Sequence, residues 1–296
     1  MNQLTATARV SPIIEPRDMR IGDGFTAKHF SEDAFNGLID PVVMLDHFHM
    51  TAPTFAPHPH AGISAVTFMF EDSVGYDMNY DSCGNHGPIH PGDLHWMVAG
   101  RGVVHTEQPE GEGFHVHALQ IFVNLPAHKK HIAPYAIHVD AKDIPVFRAP
   151  GVRVRVGAGE SNGVQSPAVL PEPFTLLDGF LEPGASFTHR LPAGWNAMVY
   201  SVEGQLELTV GDVHSTIVTA RAIGVSATEI QLTSVAGAHF TVLAGPALRE
   251  PLVKHGPFVM NTAEQMQQTL SDYASGKMGT LSAVPTAPAP VTGKNR

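Results

Sequence analysis

Two short motifs contain side chains that could bind a metal ion. His58 and His60 are two residues apart in the phrase FAPHPHAG, and His105 and Glu107 are two apart in AGRGVVHTE. Residues i and i+2 of a strand point to the same face. Two facing strands would therefore present three imidazoles and one carboxylate to one ion. This donor set suits Fe, Mn, Ni or Cu with positions open for water, O₂ or substrate, whereas structural zinc sites are more often closed and rich in cysteine.

Histidine is crowded into one part of the chain, because 13 of the 18 histidines lie between residues 47 and 138. Histidine is the commonest protein metal ligand, but a lone H-x-H pair is more often solvated. His115 and His117 form another such pair, which could line the same cavity or lie on the outer face of a barrel. His47 and His49, in DHFHM, are interpreted as residues that lie near the surface or that contact a metal ligand without binding the ion.

The overall composition excludes several classes of protein. The net charge of −10 and the lack of a Lys/Arg cluster argue against direct nucleic-acid binding. No apolar run reaches the roughly 18 residues that a membrane span needs, and the first residues lack the pattern of a secretory signal. A single cysteine, Cys83, excludes an internal disulfide framework. The expected compartment is the cytoplasm.

The elements that would carry these motifs are mostly strands. Gly and Pro punctuate short runs rich in Val, Ile, Phe and Thr, which is typical of an all-β sandwich or barrel: 63–70, 94–98, 115–125, 152–156, 197–202 and 205–210. The clearest helix is predicted over 262–275. Thr262 and Gln265 would form its capping box, with Met266 and Leu270 on one face.

The strands fall into two β units, from about residue 26 to 125 and from about 152 to 248, joined by a segment rich in Pro and His. Each unit contains a similar turn followed by a strand, HPGDL at 90–94 and LEPGA at 181–185. This faint repeat is compatible with a duplicated barrel.

Four longer phrases resemble the pirin family of bicupins: PHPHAG (57–62), PGDLHWMVAGRGVVHTE (91–107), LQIFVNLP (119–126) and REPLVKHGPFVMNT (249–262). The resemblance extends from about residue 21 to 277. It implies an all-β fold of two cupin-type β-barrels with a short C-terminal helix. The implied domains are an N-terminal metal-binding barrel over 1–135 and a C-terminal barrel without metal over 136–280. The composition of 281–296, rich in Ala, Pro and Thr, predicts a disordered tail.

The resemblance also implies one divalent metal ion in the N-terminal barrel. The positions that match the family's ligands are His58, His60, His105 and Glu107, the four residues reached above from strand spacing. The ion is expected to be Fe²⁺, with Mn, Ni, Cu or Zn as alternatives. At the corresponding places the C-terminal barrel offers only His189 and His239, which we expect to be surface or hydrogen-bonded histidines.

Family members resemble either quercetin 2,3-dioxygenases or redox-sensitive binding partners of regulatory proteins. We expect a metal-dependent oxidoreductase, a dioxygenase of quercetin-like flavonols or other small aromatic substrates with O₂. Glu107 would be a ligand or the base that accepts a substrate proton. The alternative is a non-enzymatic, iron-dependent redox sensor that binds a protein partner. Ala61 and the pair Ser64-Ala65 depart from the family pattern, so we expect an altered cavity mouth.

The residues expected inside the two barrels are apolar. In the N-terminal barrel, the metal cavity would be lined by Val66, Phe68, Trp96, Met97 and Phe122. In the C-terminal barrel, side chains would fill the interior instead: Phe180, Trp195, Met198 and Val242.

Overall fold

The computed structural model describes residues 8–281 and shows an all-β fold with one α-helix in that range. The first strands are β1 (Arg9–Val10), β2 (Arg17–Ile21), β3 (Phe25–Ser31), β4 (Val42–Met50), β5 (His58–His60), β6 (Ile63–Met69), β7 (Val74–Asp81), β8 (His86–Ile89), β9 (Leu94–Val98), β10 (Val103–Asn124) and β11 (Tyr135–Val139). Short 3₁₀ helices span Glu32–Phe35, Ala127–Lys129 and Ala141–Asp143.

The rest of the described chain repeats this alternation of strands and tight turns. Its elements are β12 (Val146–Ala149), β13 (Val152–Ala158), β14 (Glu160–Ser161), β15 (Val164–Gln165), β16 (Thr175–Leu181), β17 (Ser186–Arg190), β18 (Trp195–Gly204), β19 (Leu206–Val210), β20 (Val213–Ile217), β21 (Arg221–Ser226), β22 (Glu229–Thr233), β23 (Ala238–Pro246), β24 (Val253–His255), β25 (Phe258–Met260) and helix α1 (Ala263–Ala274). Apart from residue 281, the predicted disordered tail lies outside the described residues.

The N-terminal unit consists of strands β2 to β11. Its main sheet has the order β11-β9-β6-β10-β4-β3-β2, and β5, β7 and β8 form a second layer. The long strand β10 belongs to both layers, because its first half pairs with β5 and β7 and its second half with β4 and β6. His105 and Glu107 therefore lie on a strand that continues into the centre of the main sheet.

The C-terminal unit combines β12 to β23 with β1. A seven-stranded sheet, β1-β21-β18-β23-β16-β13-β12, and a four-stranded sheet, β17-β22-β19-β20, enclose an apolar core. The division predicted between residues 135 and 136 differs from this pairing at two strands. β1 pairs with β21 of the C-terminal unit, and β11, which begins at Tyr135, pairs with β9 of the N-terminal unit.

The main sheet of the N-terminal unit has one face toward its own interior and one toward the C-terminal unit. Along β4, Asp46 and Phe48 line the interior, whereas Leu45 packs in the core between the units. The same core contains Trp96 of β9 and Tyr200 of β18. Because side chains alternate along a strand, β3, β4 and β10 contribute to both regions.

The C-terminal segment folds back onto the N-terminal unit. Phe258 of β25 and Met266 of α1 pack against Ala61 and Val104. The predicted capping box is confirmed, since the Thr262 side chain accepts from the backbone of Gln265 and the Gln265 side chain accepts from the backbone of Thr262. The helix thus begins where predicted, but it packs on the first unit and not on the second, with which its sequence position had grouped it.

Candidate metal centre

Three histidines converge between β5 and β10. The two strands pair in antiparallel register, with His58 opposite His105 and His60 opposite Val103. The ring centroids of His58, His60 and His105 lie 4.7 to 4.9 Å from one another. One nitrogen from each ring lies within 4.8 Å of the other two. The two motifs predicted from spacing are therefore brought together in the fold.

A glycine directly after β5 permits this arrangement. Gly62 has a φ of +76°, and a Cβ atom there would collide with the carbonyl oxygen of Val259. Only glycine combines a left-handed backbone with such a close approach of another chain segment. The sharp bend holds β5 beside β10 while the chain turns into the main sheet.

Burial lowers the pKa of all three imidazoles and so favours the neutral form that binds a metal ion. His60 and His105 are each 2% exposed. Among the described residues, His60 Nδ1 and both ring nitrogens of His105 have no hydrogen-bond partner. Burial, followed by the charge of His58, lowers the pKa of His60 to about 3. Burial likewise holds the pKa of His105 well below its usual range. Neutral imidazoles with unused nitrogen atoms fit a metal ion, because the cation supplies the missing partner.

Glu107 lies on the same strand, two residues beyond His105. Its carboxylate is buried, and the Thr67 hydroxyl lies 2.7 Å from its Oε2. Burial raises the pKa of Glu107 to about 7, although the hydrogen bond from Thr67 opposes this shift. The Glu107 oxygens are not part of the tight group formed by the three histidine nitrogens. They border the same cavity, so Glu107 can serve as a fourth ligand or as a proton acceptor.

A second buried carboxylate, Asp77, was missed by the sequence analysis. Asp77 of β7 pairs with Pro109, two residues beyond Glu107 on β10. It is fully buried, and neither of its oxygens has a hydrogen-bond partner among the described residues. Burial and then the charge of Glu107 raise its pKa well above the usual range. The alternation of polar residues in GYDMNYD was the available signal, since Asp77, Asn79 and Asp81 share one face.

The cavity above these groups has a volume of about 710 Å³. Its wall is mainly apolar, and it includes Phe25, Met44, Phe48, Met50, Phe55, Phe122 and Val259. Besides the three histidines and Glu107, the polar residues that line it are Arg17, His29, Ser31, Asp46, Asp77, Gln120 and Lys254. This composition is typical of small-molecule sites, which combine an apolar wall with a few oriented polar groups.

Most of the predicted lining was wrong. Of the five expected residues, only Phe122 borders the cavity. Val66, Phe68 and Trp96 lie on the opposite face of their strands, in the core between the units. Met97 faces the interior but is covered in a small cluster with Ala65 and Val103.

The three residues that were expected to alter the cavity mouth do not lie there. Ala61 is buried against Phe258 and Met266, whereas Ser64 and Ala65 are buried behind the wall. None of the three is among the residues that line the cavity. Their small side chains accommodate the C-terminal segment and neighbouring strands, so they do not shape the entrance.

The remaining histidine pairs meet on the other face of the sheet. His47 and His49 of β4 and His115 and His117 of β10 form one cluster directed away from the cavity. His47 is buried, so its interpretation as a near-surface residue was wrong. The second reading of His115 and His117, as outer-face residues, fits their position.

His189 and His239 of the C-terminal unit have hydrogen-bond partners, as expected. His189 Nδ1 lies 3.0 Å from Ser161 Oγ, and His239 Nε2 lies 2.6 Å from Asp178 Oδ1. That the unit binds no metal stays a prediction.

The predicted filling of the C-terminal unit was right for only part of the set. Val242 lies in the core, and Trp195 packs against it. Met198 faces the core between the units, and Phe180 is half-buried and stacks on His239 with ring centroids 4.2 Å apart.

Comparison with known proteins places this chain in a family. Residues 21–123 match the family model Pirin, and residues 176–279 match the Pirin C-terminal cupin domain. A putative pirin-like protein of Arabidopsis thaliana is 38% identical over 248 residues, which cover 82% of this chain and 89% of the relative. Human pirin is 35% identical, with coverage of 81% and 83%. The chain belongs to the pirin family.

The solved structures agree with this membership. A quercetin 2,3-dioxygenase from Acinetobacter baumannii superposes on this pirin-family chain with a TM-score of 0.83 and 30% sequence identity. The match covers 93% of this chain and all but 1% of the other. The expected bicupin fold is thereby confirmed, and its histidine clusters are able to hold a metal ion.

Proposed function

We propose that this pirin-family protein is a metal-dependent dioxygenase of flavonol-like or other small aromatic substrates. The observation that carries the proposal is a set of buried, unpartnered histidine nitrogens beneath an apolar cavity of about 710 Å³. Cavities of 300–1,000 Å³ are the usual size for small organic ligands. The similarity to the quercetin 2,3-dioxygenase of Acinetobacter baumannii, at 30% identity, supports the same substrate class.

The metal would be held by His58, His60, His105 and Glu107, and we propose Fe²⁺ as the ion. Three imidazoles and a carboxylate form a donor set of intermediate hardness that suits iron. When bound, such an ion supplies Lewis acidity and electron transfer to the reaction.

Glu107 is the residue best placed to move a substrate proton. Its buried carboxylate borders the cavity beside the three histidines, where a substrate hydroxyl would bind. Thr67 Oγ1 lies 2.7 Å from Glu107 Oε2 and 3.1 Å from Gln120 Oε1. The Thr67 hydroxyl donates to an ionised Glu107. When Glu107 is protonated, Thr67 can accept its proton and donate to Gln120.

The apolar wall would orient the aromatic part of the substrate. The rings of Phe122 and His60 meet edge to face, with centroids 5.0 Å apart. Phe25 packs edge to face on Phe55 at 4.9 Å. A substrate ring packed against these aromatic side chains would displace water from the cavity, which would strengthen electrostatic interactions with the substrate oxygens.

The proposal is tested by metal analysis and O₂ uptake with quercetin as the probe. We expect iron-loaded protein to consume O₂ in the presence of quercetin and to lose this activity on chelation. Glu107→Gln should lower the rate about 10²-fold or more. The matched control is Glu112→Gln, which neutralises an exposed carboxylate on the same strand. If iron-, manganese- and nickel-loaded forms all fail to consume O₂ with flavonols and catechols, the enzyme proposal is wrong and the partner-binding alternative becomes preferable.

A further inference from the structure

A second group of histidines lies on the sheet face opposite the cavity. His47 and His49 are at positions i and i+2 of β4, and His115 and His117 are at positions i and i+2 of β10. The strands are antiparallel neighbours, with His49 directly opposite His117. The pairing places all four imidazoles on one face, beside the boundary with the C-terminal unit. The proposed function uses none of them.

Two of these rings point their Nε2 atoms at each other. His47 Nε2 and His117 Nε2 are 2.6 Å apart. Their Nδ1 atoms are engaged elsewhere: His47 Nδ1 lies 2.6 Å from the Tyr200 hydroxyl, and His117 Nδ1 lies 2.8 Å from an oxygen of Asp72. The ring of His49 stacks on His117 with centroids 4.3 Å apart.

The Nδ1 atoms of His47 and His117 contact oxygen atoms, as the second ring nitrogen of a metal-binding histidine commonly does. A ligating imidazole commonly donates its other N–H to a carboxylate or another oxygen, which fixes the ring orientation. Asp72 supplies the carboxylate for His117. The Tyr200 oxygen can accept a hydrogen bond from the Nδ1–H group of His47, and in that tautomer the lone pair of His47 Nε2 is available to a cation. His115 Nε2 lies 2.9 Å from His49 Nδ1 and orients the third ring in the same way.

For an ion to enter the cluster, the imidazole nitrogens must rearrange. One nitrogen from each of His47, His49 and His117 lies within 4.8 Å of the other two. A tetrahedral ion about 2.0–2.1 Å from two imidazole nitrogens separates them by about 3.3 Å. The two Nε2 atoms must therefore move apart by about 0.7 Å. The ring of His49, which lies at 17° to that of His117, must also turn to direct a nitrogen at the same ion.

The surroundings combine burial with access from one side. His47 is buried and His117 is 12% exposed at its side chain, whereas Asp72 is 68% exposed. Burial lowers the pKa of His47 to about 3 and that of His49 to about 4, so both are neutral at pH 7. The charged or titratable groups facing the cluster are Asp72, His239, and Lys28, which is itself paired with Asp18.

We propose that His47, His49 and His117 form a second metal site, selective for a borderline transition cation such as Zn²⁺, between the two cupin domains. Three imidazoles suit zinc and leave its fourth position to water. Because Tyr200 belongs to the C-terminal unit and hydrogen-bonds to His47, the site links the two units through a ligand and its supporting hydroxyl. The proposal is independent of the dioxygenase function.

The test measures Zn²⁺ binding in a protein that lacks the first site. His58→Ala/His105→Ala should still bind about one Zn²⁺ per chain by equilibrium dialysis and elemental analysis. Adding His47→Ala and His117→Ala should abolish this binding. Adding His131→Ala instead, at an exposed histidine, should leave it unchanged. Co²⁺ in place of Zn²⁺ should show the d–d absorption of a tetrahedral imidazole site only where His47 and His117 are present.

A milder substitution separates metal binding from folding. Asp72→Asn alters an exposed side chain and should weaken Zn²⁺ binding 10- to 100-fold, the usual effect of losing such a supporting carboxylate. Asp212→Asn, at an exposed aspartate of the C-terminal unit, is the control and should have no effect. The proposal is overturned if the His58→Ala/His105→Ala protein binds no Zn²⁺, or if it binds Zn²⁺ with an affinity that neither His47→Ala/His117→Ala nor Asp72→Asn changes.

Discussion

The interiors of the two cupin units differ in how completely side chains fill them. The N-terminal unit keeps a cavity of about 710 Å³ with histidines and carboxylates at its base. The C-terminal unit fills its interior with aliphatic and aromatic side chains from both sheets, such as Leu177, Leu208, Ile230 and Phe240. A cupin sheet pair therefore does not impose a binding cavity. The cavity exists where inward positions hold polar side chains that cannot pack against one another without a ligand.

Gly179 and Phe240 illustrate how closely the C-terminal interior is packed. A Cβ atom on Gly179 would collide with the ring of Phe240. In the N-terminal unit, Phe122 also points inward, but one side of its ring borders the cavity. A buried side chain that touches neighbours on all sides contributes more to stability than one beside an open space.

The largest expected difference between the two units concerns metal binding. His58→Ala/His105→Ala should bind one ion fewer per chain than the wild type and lose O₂ uptake with quercetin, because the remaining donors cannot complete a coordination sphere. His189→Ala, in the C-terminal unit, should change neither property. Elemental analysis with an O₂ electrode measures both. Unchanged stoichiometry in the double variant would disprove the assignment of the first site.

The next effect concerns packing. Phe240→Ala should lower the free energy of unfolding by about 3–5 kcal/mol, because it opens a void in a closed core. Phe122→Ala should cost less than about 2 kcal/mol, since its ring already borders a cavity. Urea denaturation of the metal-free variants gives both values. Equal costs would show that the two interiors are packed alike.

A smaller effect is expected in the pH dependence of stability. Burial lowers the pKa of His189 to about 4, while an unfolded chain keeps it near 6.5. Between these values the unfolded state binds more protons, so stability falls as the pH decreases from 6.5 toward 4. His189→Gln should reduce this slope by up to about 1.4 kcal/mol per pH unit. His131→Gln, at an exposed histidine, serves as the control. A slope unchanged in His189→Gln would contradict the expectation.

The smallest expected effect is the number of protons released when a metal ion binds at the first site. At pH 6, Glu107 is largely protonated because its pKa is about 7, whereas His60 is already neutral. Binding of a divalent ion should therefore expel about one proton from Glu107. Glu107→Gln should remove this proton, and Glu112→Gln should not. Calorimetry in buffers of different ionisation enthalpy measures the number, and equal release in all three proteins would exclude Glu107 as a ligand.

The four residues proposed for the first site could be found from the sequence because their pattern is local. H-x-H and H-x-E place two donors on one face of a strand whatever the rest of the fold does. The family phrases also predicted the two cupin domains, and the capping box of Thr262 and Gln265 predicted the start of the helix. Each of these features depends on spacing over a few residues.

The cavity wall and the second histidine cluster were decided by tertiary structure. Val66 and Phe68 are as apolar as the residues that line the cavity. They lie at alternate positions of β6 whose side chains point toward the C-terminal unit. A shift of one residue exchanges the two faces of a strand, and the sequence does not say which face a neighbouring domain will cover. His47 and His117 are 70 residues apart in the chain. They meet because β4 and β10 pair in one register, with Tyr200 of the other unit behind them.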